Sequence, residues 1–156
     1  MPESNTLLAS WKRLSKRPGG AWLFSRLLGR KARYTGSIRP LVRTLSPGHA
    51  RVEMQDRPAV RNHLKSIHAI ALINLGEVTT GLAVIAGLTP DQRGIITNLS
   101  MRYLKKARGT LTGRADFQPP APDFEGPYQT EAELIDEAGD VVAVASAEWT
   151  IGKTPR

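Results

Sequence analysis

A chain of 156 residues, 40% hydrophobic and 23% charged, fits one folded domain and is too apolar to stay disordered. The absence of cysteine excludes disulfide frameworks, cysteine-ligated zinc and cysteine nucleophiles, and it suits a reducing cytoplasm. A formal charge of +8 and a pI near 10.3 predict attraction to polyanions: nucleic acid, acidic lipid or a phosphate-bearing small molecule.

Residues 6–15 place Leu7, Leu8, Trp11 and Leu14 at helical spacing, and Pro18-Gly19-Gly20 ends that pattern. The pattern resumes over residues 21–30 with Trp22, Leu23, Leu27 and Leu28, so two short amphipathic helices are expected. Their apolar faces suit a membrane surface or the edge of a sheet, and packing on a sheet is the expectation. Trp11-Lys12-Arg13 and Lys16-Arg17 interrupt any apolar signal core, which points to a cytoplasmic protein.

From Tyr34 the period changes. Residues 34–45 are rich in β-formers, and residues 49–55 alternate Ala50, Val52 and Met54 with Arg51, Glu53 and Gln55. With Leu45-Ser46-Pro47-Gly48 as the turn, these two segments read as a hairpin. Pro40 cannot donate to a ladder, so it predicts an edge strand or a bulge.

A loop starting at Arg57-Pro58 leads to residues 67–88, where apolar side chains cover nearly every side of a helix. Such a helix is buried on all sides or spans a bilayer. His68, Asn74, Glu77, Thr79 and Thr80 oppose a span, since an acidic residue near mid-span costs about 2.5 to 3.5 kcal/mol. No membrane span is therefore expected, and the helix reads as a core element.

Beyond Leu88-Thr89-Pro90, Ile95, Thr97, Leu99, Met101 and Tyr103 alternate with polar neighbours, as do Leu111, Gly113, Ala115 and Phe117. A proline-rich loop at residues 118–122 precedes strand patterns at 128–135 and 141–151, joined by a turn at 136–140. Consecutive strands of this kind read as antiparallel neighbours. The order of elements is α+β, with residues 1–32 as an N-terminal helical extension and 33–156 as a single domain. One greasy helix requires a sheet curved around it.

Within residues 67–88, Glu77 carries the side chain certain to be charged at neutral pH. An ionised carboxylate in apolar surroundings is paired, neutralised or kept for chemistry. Burial raises its pKa toward the range useful for a general base. His68 lies at the helix start, where unpaired N–H groups at 68–70 stabilise a developing oxyanion. Lys105, Lys106 and Arg108, clustered at a strand end before Gly109, suit phosphate. Three histidines without ligand spacing give no metal site, and nothing requires a cofactor.

Asn62, His68 six positions on, Glu77 nine beyond that, and the strand end Tyr103-Leu104-Lys105-Lys106-Ala107-Arg108-Gly109 together resemble the hotdog-fold thioesterase superfamily. The similarity is to the phenylacetyl-CoA thioesterase branch and a related bacterial domain-of-unknown-function family, over residues 34–151. The resemblance implies a hotdog fold, a homodimer or dimer of dimers with the site between protomers, and hydrolysis of an acyl-CoA thioester. It assigns Glu77 as nucleophile or general base, Asn62 as the residue positioning water or the acyl group, and His68 to the motif histidine. In relatives that histidine precedes two glycines whose N–H groups polarise the carbonyl. Here Ala69-Ile70 stands in their place and narrows the space for substrate.

Acyl-CoA thioesterase is thus the leading expectation, and a non-enzymatic acyl-CoA or lipid-binding hotdog protein is the alternative. Nucleic acid is not the expected partner, since aromatic residues are only 6% and no recognition motif is present.

Overall fold

The computed structural model describes residues 3–155. Helices α1 (Glu3–Leu14), α2 (Gly20–Lys31) and the short α3 (Arg33–Gly36) precede strands β1 (Leu41–Ser46) and β2 (His49–Met54). The long helix α4 (Ala69–Gly87) follows, and then β3 (Gln92–Tyr103), β4 (Leu111–Asp116), β5 (Gly126–Ile135) and β6 (Val141–Lys153).

The six strands form one antiparallel sheet in the order β1-β2-β4-β5-β6-β3. Helix α4 touches all six, so the sheet wraps it as in a hotdog fold. The helix is long and apolar enough to cross a bilayer, yet most of it is buried against the sheet. Its threonines are compatible with that core. Thr79 donates to the Leu75 carbonyl at 2.6 Å and Thr80 to the Gly76 carbonyl at 3.0 Å, which removes the cost of burying free hydroxyls.

The alternating strands pack as their pattern dictates. Ala50, Val52 and Met54 of β2, and Leu111, Gly113 and Ala115 of β4, all turn inward. The turn at 136–140 closes through Asp136 N–H to the Asp140 carbonyl at 2.9 Å, with Gly139 at φ 86°.

Three expectations are corrected. Residues 34–39 are not strand: Thr35 and Ile38 are buried at a helical spacing while Tyr34 points out, and Asn74 of α4 donates to the Tyr34 carbonyl at 3.1 Å. Tertiary contacts override β propensity there. The chain enters β1 only after Pro40, at a sheet edge, with a register shift between Val42 and Thr44. In β3 the register shifts between Ile96 and Asn98, so Thr97 bulges and the alternation changes phase. Ile96, Leu99 and Met101 are partly buried, and Ile95 is left 53% exposed. Finally, β3 does not neighbour β4: it pairs with β6 at the far edge, while β4 inserts beside β2.

The sheet's two edges differ. At β1, Ser25 of α2 accepts the Val42 N–H at 2.9 Å while donating to the Ala21 carbonyl at 2.7 Å. Phe24 of α2 meets Trp11 of α1 edge to face, with ring centroids 5.1 Å apart, and both join the main core. The N-terminal helices therefore cover that edge. Strand β3 forms the other edge along twelve residues.

Candidate active site

Among the described polar side chains of α4, Asn74, Thr79 and Thr80 each bond a backbone carbonyl. None donates to the Glu77 carboxylate. That carboxyl is half-buried, and burial holds it above the ordinary glutamate value. Its Oε1 leans along the helix to within 3.9 Å of where a Cβ on Gly81 would sit, and the Trp149 ring lies 3.2 Å from the same point. The glycine leaves room for the carboxylate beside the indole face.

The helix start is capped by His68. Its Nδ1 accepts the Ile70 N–H at 3.0 Å, and its own N–H donates to the Val60 carbonyl at 2.8 Å. An accepting Nδ1 places the ring proton on Nε2. Ile70, directly beyond the cap, is 50% exposed.

Asn62 organises the preceding loop. Its Oδ1 accepts the N–H of Leu64 at 2.9 Å and both the N–H and the hydroxyl of Ser66 at 3.2 Å. The sequence places asparagine where a side-chain carbonyl can replace missing backbone partners in a tight loop.

At the end of β3, Lys105 Nζ bridges Asp136 at 2.8 Å and Asp140 at 2.7 Å, and these partners raise its pKa. Lys105 thus ties the strand end to the β5–β6 turn. Lys106 and Arg108 face solvent. Gly109 adopts φ +73°, which favours glycine, and its N–H donates to Asp56 at 2.9 Å. Burial works against ionising Asp56, but its bonds to Arg61 and Gly109 outweigh that and hold it below the usual range.

The predicted residues do not meet at one point in a single chain. Asn62, Ala69, Lys105 and Lys106 line a cavity of about 380 Å³, walled by Leu72 and Tyr103. His68 and Ile70 line a second cavity of about 200 Å³, with Tyr34, Arg61 and Asn74. Glu77 borders neither. It shares a helix stripe with Ile70, two turns and roughly 10 Å along the axis.

Tyr103 is the site residue that pattern reading passed over. Its hydroxyl donates to the Ala69 carbonyl at 3.0 Å, pinning the end of β3 to the first turn of α4, and burial pushes the phenol's pKa up. The signal available was its position immediately before the basic strand end.

A curved antiparallel sheet around a central helix is shared with known proteins. The profile of the Domain of unknown function (DUF4442) family matches residues 20–151. The chain belongs to the DUF4442 family. Among curated proteins, none matches its sequence. Several solved structures resemble this DUF4442 chain. The structural-genomics protein APC5556 is 26% identical with a TM-score of 0.83, over 97% of this chain and 99% of that one. PA5026 from Pseudomonas aeruginosa, described as a probable thioesterase, is 22% identical with a TM-score of 0.75, over 83% and 93% of the two chains. The protein smu.793 from Streptococcus mutans UA159, bound to acetyl CoA, is 17% identical with a TM-score of 0.63, over 75% and 91%. One of these neighbours is described as a probable thioesterase, and the DUF4442 chain shares the hotdog fold with them.

Proposed function

We propose that this protein hydrolyses an acyl-CoA thioester, with Glu77 as general base. The observation that carries the reading is the Glu77 carboxylate itself: half-buried, without a donor among the described residues, and raised in pKa by burial. Such a carboxylate accepts a proton from water more readily than an ordinary surface glutamate. Water oxygen attacks the thioester carbonyl carbon while Glu77 takes the water proton. The C–S bond then breaks and the sulfur leaves as a thiol with the proton returned by Glu77, giving a carboxylic acid and free CoA.

The carbonyl binds at a helix start, where the dipole and the Ala69 N–H face the developing negative oxygen. Roughly 10 Å of helix separates Glu77 from that point in its own chain, too far for both to reach one carbonyl. A second copy supplies the match. The long β3 edge, with Ile95 facing outward, offers the pairing surface for a homodimer in which Glu77 of one protomer faces the helix start of the other. Asn62 Nδ2 positions water or the acyl group, and Lys106 and Arg108 receive the phosphates. The acetyl CoA bound by the S. mutans neighbour supports CoA as the ligand class on this scaffold.

A non-enzymatic acyl-CoA binder is the second reading. It is favoured by the Ile70 N–H being occupied by His68 and by the Ile70 side chain at the mouth of the helix. Thiol release from short, long and aryl acyl-CoAs separates the two. Hydrolysis lost in Glu77→Gln establishes the enzyme, binding without turnover establishes the carrier, and turnover unchanged in Glu77→Gln contradicts the mechanism.

A further inference from the structure

Half of the basic residues are concentrated at one end of the chain. Eleven of the 22 Lys and Arg residues lie between positions 4 and 52, and no Asp or Glu does. The structure gathers several of them around a groove of about 920 Å³ between α2, α3 and β1, lined by Arg26, Arg30, Arg33 and Arg39. The acid on its wall, Glu53, already bridges Arg43 at 2.9 Å. The groove shares no lining residue with the cavity beside Asn62.

Helix α2 has two faces with different fates. Phe24 and Ser25 turn into the core and onto β1, as the expected packing requires. On the opposite face Trp22, Leu23 and Leu27 remain 59%, 42% and 48% exposed. Arg26 and Arg30 fall on that same outward arc by helical spacing. The Arg26 guanidinium sits 5.6 Å from the Trp22 ring centroid, so cation and indole are already presented together. A soluble surface rarely clusters Trp and Leu without an occupant.

We propose that the outward face of α2 and its arginine groove form a docking surface for an anionic lipid bilayer. Charge complementarity selects this occupant. A bilayer accepts Trp and Leu at the acyl boundary and offers phosphates to the arginines at headgroup depth. Apolar insertion and a basic cluster are the two signals that together give stable peripheral binding. The surface stands apart from the residues assigned to thioester chemistry, so it holds whether or not the protein is a hydrolase.

The test is co-sedimentation of the full chain with vesicles of phosphatidylcholine alone and of phosphatidylcholine with phosphatidylglycerol, at low and high salt. The wild type pellets with the anionic vesicles, binds neutral ones at least about tenfold more weakly, and is released by salt. Arg26→Glu/Arg30→Glu and Trp22→Ser/Leu23→Ser/Leu27→Ser each lower anionic binding about tenfold or more, with unchanged circular dichroism. All five positions lie on the outward arc, so folding is preserved. Equal binding to both vesicles, no binding, or binding insensitive to both variants overturns the proposal. So does self-association in sedimentation velocity that the triple substitution abolishes, because the face then belongs to a second copy.

Discussion

His68 Nδ1 receives the Ile70 N–H at 3.0 Å, which makes the motif histidine the N-cap of the central helix. A side chain in that role satisfies one of the orphan donors of the first turn. His68→Ala is therefore expected to cost about 1 kcal/mol of stability, and His68→Asn, which keeps an acceptor, much less. Denaturant titration of the three proteins checks this. Equal midpoints for all three would mean that the cap contributes nothing.

Gly76 lies where α4 packs tightly against β6. A Cβ there would come within 2.4 Å of the Ala145 Cβ, and alanine has no rotamer with which to retreat. Gly76→Ala should destabilise by about 1–3 kcal/mol. An unobstructed helix interior would instead gain about 1 kcal/mol from the same change. Thermal unfolding decides the sign.

Glu77 predicts a pH dependence of stability. Burial raises its folded-state pKa above the ordinary value of 4.5, so the native state favours the protonated acid. The contribution of this group is fully present below pH 4.5 and is lost as pH rises through the higher folded value. Glu77→Gln does not titrate. It should equal the wild type in calorimetry near pH 4 and exceed it near pH 8, whereas a constant difference across that range would place the carboxylate in water. The rate of thiol release should fall on the acid side, with a midpoint above the usual glutamate range.

The two lysines at the end of β3 should behave differently. Lys105 is held by Asp136 and Asp140, while Lys106 faces solvent beside the Asn62 cavity. Lys106→Ala should raise KM for acyl-CoA by roughly threefold to tenfold and leave kcat unchanged, the signature of a lost binding contact. A fall in kcat with constant KM would contradict that role.

Elements with a single dominant period were legible in the sequence. Ala50, Val52 and Met54 announced β2, Leu111, Gly113 and Ala115 announced β4, and the all-round apolar run announced α4 with Glu77 as its exception. What escaped depended on partners distant in the chain. The bulge at Thr97 is visible only in the pairing with β6, and it exchanges Ile95 for Ile96 on the inner face. Tyr34 looked like a strand residue until Asn74, forty positions on, took its carbonyl. The pairing of Lys105 with Asp136 and Asp140 was hidden because those acids lie 31 and 35 residues further along. Strand order was equally hidden, since alternation shows which side of a strand is buried and not which strand lies beside it.

Subunit complementation tests most directly whether Glu77 of one copy works at the helix start of another. Ala69 is exposed at that start, and Ala69→Trp fills the adjacent cavity without disturbing the core. Glu77→Gln and Ala69→Trp should each be inactive alone. Co-refolded in equal amounts, half the dimers carry one site with both lesions and one site intact, so thiol release should return to about a quarter of the wild-type rate. A mixture no faster than the two variants measured separately would contradict a site built from two chains.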